Sequence, residues 1–283
     1  HEQVAYWEEI EQGARMSAET RRVFGVSLSI LYYDRFDDAS FLEQAEICIK
    51  EKPDGVVIVP VELDVTRQIT EKLHELNIPF ILLDSYMPDL KPLSFFGQDS
   101  FSSGRFAARM LMLLASQETE VALMKITRNG RVVSKQQSNR EVGFRHYMQD
   151  HFPAVKIVDL ELPFNGTRQQ YDDMLENFFI DHPNIHHCIT LGSKAHVMGD
   201  YLLRANRRET QIMGYDMVKK NAECMRLGSV SFLIAQHAYQ QGYGCIDALF
   251  KAIALKTKIQ PVNYMPIELL TQENVDFYSR THL

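Results

Sequence analysis

Short runs of β-branched and apolar residues alternate with longer stretches of helical period along almost the whole chain, and this alternation restricts the fold more than any single motif. Gly55 to Val59, Pro79 to Leu83, Val121 to Ile126, Val155 to Leu160, Ile185 to Leu191, Gln211 to Tyr215 and Ser231 to Ala235 are strand-sized. The stretches between them carry apolar residues every three or four positions. Continuously apolar strands separated by helices imply a parallel sheet covered on both faces, hence an α/β fold.

The pattern runs through the chain twice. A helix from Val4 to about Thr20, with Val4, Trp7, Ile10 and Ala14 on one side, leads into an expected strand from Val23 to Tyr32. Helices at Ala39 to Glu51 and Asp64 to Leu76, a short strand Leu93 to Gly97 and a helix from Ser100 complete a first lobe near Gln117. The second series has helices at Ser138 to Asp150, Thr167 to Ile180, Lys194 to Ala205 and Ala238 to Ala254, and ends in an extended Val262 to Leu270. At about 150 residues per domain, a chain of 283 residues is near two domains in length. The expected division is 1–117 plus 237–262 for the N-terminal lobe and 118–236 plus 263–283 for the C-terminal lobe. No Gly/Ser/Pro-rich linker separates them, so two doubly wound parallel-sheet lobes joined by a multi-strand hinge are expected. Such a lobe normally opens with a strand, yet residue 1 already stands at the foot of a helix. The first strand is therefore expected to lie upstream of this sequence.

Several function classes are disfavoured. Thirty basic against 37 acidic residues give a net charge of −7, which argues against this stretch itself wrapping nucleic acid or an anionic membrane. The longest apolar runs, Gly55 to Val61 and Ile78 to Leu83, are far short of a membrane span. His1 to Ile10 carries three Glu and does not resemble a secretion signal. Cys48, Cys188, Cys224 and Cys245 are widely spaced and mostly sit in apolar segments, so reduced thiols and a cytoplasmic setting are expected. There is no phosphate loop, glycine-rich dinucleotide turn, Gly-x-Ser-x-Gly elbow or His-Glu-x-x-His. An enzyme is not expected, and neither is a cofactor. His186, His187 and Cys188 are adjacent on a strand, so they point to opposite faces and cannot converge on one metal.

What remains is polar residues at the carboxyl ends of strands, where open α/β sheets place their ligands. Asp84 ends Ile-Pro-Phe-Ile-Leu-Leu-Asp, Asp99 follows Phe-Phe-Gly-Gln, Asp216 ends Met-Gly-Tyr-Asp and Gln236 ends Phe-Leu-Ile-Ala-Gln. Asp99 and Asp216 could equally be helix N-caps. Arg140 at a helix start runs against the dipole preference for cations, which suggests a forked donor held for a specific partner. Tyr6 and Trp7 are either a hydrophobic staple or a stacking platform for the apolar face of a sugar. The cluster Arg204, Arg207 and Arg208 reads best as a solvated helix end, and Asn165-Gly166-Thr167 as a chance sequon.

Taken in order, these strings resemble the type I periplasmic-binding fold of transporter sugar-binding proteins and of LacI/GalR-family effector domains. They are Tyr6-Trp7 with Gly13, Pro53-Asp54-Gly55-Val56-Val57, Asn77-Ile78-Pro79 to Asp84, Asp99 with Gly104, Arg140 with Gly143-Phe144, Gly214-Tyr215-Asp216, and Ala235-Gln236 with Gly242. The resemblance implies two lobes closing over a small ligand, commonly a saccharide. It implies Tyr6 and Trp7 as stacking aromatics, Asp84 or Asp99 as first-lobe acceptors, and Arg140, Asp216 and Gln236 as second-lobe and hinge ligands, with Phe164 and Asn165 at a pocket wall. Val4 and Leu191 stand where sugar-binding relatives usually carry Asn, and Ser85 where Arg is common. Ser193 and Lys194 would supply replacement donors.

The resemblance further implies a homodimeric transcription regulator that reads a DNA operator through a helix-turn-helix domain outside this sequence and passes lobe closure to DNA affinity. The alternative is the solute-binding protein of a sugar ABC transporter.

Overall fold

The computed structural model describes residues 2–132 and 134–278, with the side chains of 2–5 and 131 left aside. The elements in chain order are α1 (Glu2–Glu19), α2 (Asp38–Lys50), β1 (Val56–Ile58), α3 (Leu63–Glu75), β2 (Phe80–Leu83), β3 (Ser94–Gly97) and α4 (Ser100–Leu114). Then follow β4 (Glu120–Arg128), β5 (Arg131–Val132), α5 (Lys135–His151), β6 (Lys156–Pro163), α6 (Arg168–Asp181), β7 (His187–Thr190) and α7 (Ala195–Arg204). The chain ends with β8 (Gln211–Tyr215), α8 (Lys219–Arg226), β9 (Val230–Ala235), α9 (Ala238–Ile253), β10 (Val262–Tyr264), β11 (Glu268–Leu270) and α10 (Val275–Tyr278).

The chain divides into two compact units, one of Trp7–Gln98 with His237–Pro266, the other of Asp99–Gln236 with the segments up to Tyr6 and from Ile267 onward. In the first unit, β1, β2, β3 and β10 form a parallel sheet in that order. Helix α3 buries Thr66, Ile69, Thr70 and Leu73, at i, i+3, i+4 and i+7, and Leu73 and Ile69 pack with Phe80, Leu82 and Phe95 of the sheet. Helices α1 and α9 cross at two glycines: a Cβ at Gly13 would lie 2.0 Å from the carbonyl oxygen of Tyr239, and one at Gly242 would lie 1.9 Å from that of Ile10.

The second unit has a larger sheet in the order β11-β9-β8-β7-β4-β5, with β6 also paired to β4. Strands β4, β6, β7, β8 and β9 run parallel, while β11 and β5 are antiparallel to their neighbours. Asn129 and Gly130, both at positive φ, turn β4 back into β5. Because β4 lies between β6 and β7, the chain reverses its direction of sheet growth there, and this is the switch point at which α/β sheets open a crevice at their strand ends.

Three expectations are corrected. The strand from Val23 to Tyr32 does not form. Arg22–Phe24 is a 3-10 turn closed by Gly25 at φ 82°, and residues 26–34 belong to no ladder. The alternating pattern there favours an extended backbone, but a strand also needs a neighbour, and the described sheet stops at β1. Val262 to Leu270 is not one strand: β10 pairs with β3 and β11 with β9, with Pro266, which has no N–H to donate, in the break. The division before α4, rather than after Gln117, follows from packing. Ala107, Ala108 and Leu111 of α4 are buried with Phe144 and Met148 of α5, in the core of the second unit.

Candidate functional site

In the second unit the carboxyl ends of β7, β8 and β9 deliver Leu191, Asp216 and Gln236, and α5 brings Arg140 to them. Ser134 caps α5 by accepting from the Gln137 N–H at 3.2 Å. The helix starts three residues before the expected Ser138, so Arg140 lies in its second turn. The dipole argument for Arg140 therefore loses force, and its partners take over that role. Its guanidinium, 1% exposed, lies 3.9 Å from the ring centroid of Tyr215. It donates from Nη1 to the Leu191 carbonyl at 3.0 Å and from Nη2 to Gln236 Oε1. Arg140 Nε is buried and has no protein partner among the described residues.

Gln236 continues the array, donating from Nε2 to both carboxylate oxygens of Asp216 at 2.8 Å. Its Oε1 also accepts from Gln136 Nε2 at 2.8 Å. Asp216 holds a left-handed φ of 63°, a conformation sparsely populated outside glycine, and its peptide N–H is tied to the Ile234 carbonyl. Asn221 fastens the surrounding loops: its Nδ2 donates to the carbonyls of Ser193, Tyr215 and Asp216, and its Oδ1 accepts from the His196 N–H. Burial pushes the Tyr215 hydroxyl upward from its ordinary range, so it stays a neutral donor.

The structure thus brings Arg140, Asp216 and Gln236 into one hydrogen-bonded array, with the backbone of Ser193 tied to Asp216 through Asn221. Phe164, just past β6, lies under the Lys194 ammonium at 4.5 Å, and Lys194 Nζ also donates to the Phe164 carbonyl at 3.4 Å. Leu191 turns its side chain into the core with Ile189 and Met213 and contributes its carbonyl. Asp99 spends its carboxylate on capping α4, accepting from the Ser102 N–H at 3.0 Å and the Ser102 hydroxyl at 2.8 Å.

In the first unit, Asp84 follows β2 at φ 71° and is 1% exposed. Its Oδ2 accepts from the Ser85 hydroxyl at 3.4 Å, and its N–H pairs with the Phe96 carbonyl. Trp7 is half-buried and carries the Arg35 guanidinium over its ring at 5.2 Å. Tyr6 is buried. The side chain of Val4 lies outside the described residues. Arg35, Gln136 and Asn221 join these residues without being expected from the sequence, and Tyr215, expected only as part of the Gly214-Tyr215-Asp216 string, proves to carry the Arg140 guanidinium. Arg35 had a usable signal, since it follows the alternating segment 26–34 as a strand-end residue would; Gln136 and Asn221 had none, because a buried amide inside a helix looks like any surface amide.

Among the described residues no group of three His, Cys, Asp or Glu could hold a metal ion, and no helix is long and apolar enough to cross a membrane.

The chain matches the family described as Periplasmic binding protein domain over residues 2–257. It is similar to a protein from Bacteroides fragilis, provisionally designated a LacI transcriptional regulator, with 41% identity, TM-score 0.94, and coverage of 97% of this chain and 94% of that one. It shares the fold of a sugar-binding protein of a sugar ABC transporter from Bacillus halodurans at 22% identity and TM-score 0.81, covering 96% and 95% of the two chains. A carbohydrate transporter solute-binding protein from Agrobacterium radiobacter, in complex with D-arabinose, aligns at 20% identity and TM-score 0.82 over 98% of this chain and 94% of that one. No curated protein is similar enough to match.

Proposed function

From the premise that the chain belongs to the periplasmic binding protein domain family, we propose that it is the effector-binding part of a LacI-type transcription regulator whose ligand is a small saccharide. The observation that carries the saccharide reading is the buried array Arg140, Gln236 and Asp216, in which a guanidinium, an amide and a carboxylate are fixed by one another. Sugars are recognised by planar polar groups that donate and accept to neighbouring hydroxyls, and a preformed set binds without the entropic cost of ordering it. Arg140 Nε, buried and unpartnered, is a donor left over for such a hydroxyl. The remaining ligand residues in this reading are Asp84, Trp7, Phe164, Ser193 and Tyr6, and Asp99 acts through its cap.

The regulator is favoured over the transport protein by sequence: 41% identity with the regulator-designated relative against 22% with the transporter component, each over nearly the full length of both chains. In this reading the protein works in the cytoplasm as a homodimer, contacts its operator through a separate DNA-binding domain, and responds to ligand only to the extent that the ligand prefers one conformation.

Thermal unfolding of the chain against D-arabinose, other monosaccharides, oligosaccharides, sugar phosphates and uronic acids tests the binding reading. A ligand at 100 times its dissociation constant adds about 2.7 kcal/mol, a visible rise in melting temperature. A flat response across the panel refutes a saccharide effector. Absence of operator binding by the full-length protein, with and without a confirmed ligand, refutes the regulator and leaves the transport protein.

A further inference from the structure

The first turn of α4 holds both halves of the Arg140–Tyr215 stack. One residue of that turn, Ser103, tethers the ring: the Tyr215 hydroxyl donates to the Ser103 carbonyl at 3.0 Å and lies 2.9 Å from the Ser103 hydroxyl. The next residue, Gly104, sets the backbone of Arg140. A Cβ at Gly104 would stand 2.0 Å from the Arg140 carbonyl oxygen, 2.7 Å from its carbonyl carbon and 2.8 Å from its Cα. All three are backbone atoms, so no side-chain rotation relieves the clash. The contact is reciprocal, since a Cβ at Gly143 would stand 2.1 Å from the Phe101 carbonyl oxygen. Asp99 caps the same turn.

We infer that Ser103 and Gly104 are positioning residues for the Arg140 guanidinium. Gly104 fixes how closely α5 approaches α4, and so how far the Arg140 side chain reaches toward Leu191 and Gln236. Ser103 fixes the ring on which the guanidinium rests. A shift of a few tenths of an ångström at Gly104 moves the base of a long side chain whose far end must meet two acceptors at once. A merely structural glycine would affect stability alone; a positioning glycine changes the environment of Arg140 in a protein that remains folded. The consequence for ligand affinity rests on the proposed role of Arg140, but the positioning itself does not, and it is read in the protein without ligand.

The test is nitrogen-15 NMR of arginine side chains in the unliganded chain, with the Arg140 Nε–H signal identified by its loss in Arg140→Lys. In the wild type that proton lies beside the Tyr215 ring, so its signal is displaced by the ring current and its exchange with solvent is slow. Tyr215→Phe keeps the ring and removes the tether. Loss of a hydrogen bond worth about 1.4 kcal/mol is expected to speed the exchange about tenfold and to move the signal toward that of an ordinary arginine. Gly104→Ala is expected to do the same. Thr167→Ala, which weakens the cap of α6 without touching α4, is expected to leave the signal in place. An unchanged Arg140 signal and exchange rate in Tyr215→Phe overturns the inference, even if Gly104→Ala fails to fold. An equal change in Thr167→Ala overturns it too, because the effect would then be general loosening. A flat sugar panel with a responsive Arg140 signal removes the binding reading and leaves the positioning intact.

Discussion

Gln236 grips Asp216 with a single amide group: its Nε2 lies 2.8 Å from each carboxylate oxygen, so the whole carboxylate is engaged from one side. This fixes the orientation of the amide, because a flipped Gln236 would aim an oxygen at a carboxylate and an NH2 at the Arg140 guanidinium. Charge therefore sets the direction of the chain of bonds, from guanidinium through amide to carboxylate.

Asp216→Ala removes the carboxylate that accepts both hydrogen bonds from Gln236 Nε2. We expect the fold to persist with stability lowered by roughly 1–3 kcal/mol, and saccharide affinity to fall beyond detection. Chemical denaturation and calorimetry with a ligand found by thermal shift measure the two effects. Undiminished affinity would remove Asp216 from the site.

Arg140→Lys keeps the charge and loses the fork. A single ammonium cannot reproduce the planar stack on Tyr215 together with bonds to the Leu191 carbonyl and Gln236. We expect affinity to drop at least about tenfold, or ~1.4 kcal/mol, with Arg140→Ala worse than Arg140→Lys. Equal binding by wild type and Arg140→Lys would show that only charge matters there.

Gly242→Ala tests the crossing of α1 and α9. Its Cβ would meet the Ile10 carbonyl at 1.9 Å, so the helices must separate and open the packing beneath them. Overpacking of this kind costs about 1–3 kcal/mol, seen as a lower melting temperature. A melting temperature equal to the wild type's would mean that the helices yield freely.

Tyr33 predicts behaviour in alkali. Burial, reinforced by the negative charge of Asp84 and opposed by Arg35, pushes its hydroxyl up to about 12, and the hydroxyl donates to the Val59 carbonyl. The folded state holds this proton more tightly than the unfolded chain, whose tyrosines titrate near 10. The stability it supplies is thus complete below about pH 10 and is lost as pH rises toward 12. Tyr33→Phe should flatten that part of the stability curve, as followed by denaturant midpoints from pH 9 to 12. A curve unchanged by the substitution would place the alkaline loss elsewhere.

Local pattern was enough for most elements. The β8 limits, Gln211 and Tyr215, coincide with the apolar run, because a strand inside a parallel sheet is apolar on both faces and stops where polar residues begin. Thr167 heads α6 with a complete capping box, three residues before Gln170, which the spacing alone suggests. Asp216 and Gln236 stood out because strand carboxyl ends carry ligands in such sheets whatever the ligand is.

Other features depended on partners far away in the chain. Residues 26–34 alternate like a strand but lie against no ladder, and Pro266 parts one apolar segment between two sheets. Helix α4 joined the second unit because Gly104 lets the Arg140 backbone come close, a contact between residues 36 positions apart. Gln136, Asn221 and the Arg140 stack on Tyr215 became visible only once folded. Periodicity and capping are set by neighbours within a few residues, so the sequence by itself determined the α/β alternation and the strand-end acceptors. Which strands pair, which helices touch and which amides are buried are decided by contacts across the chain, where burial and hydrogen-bond satisfaction choose among partners that the local pattern leaves equivalent.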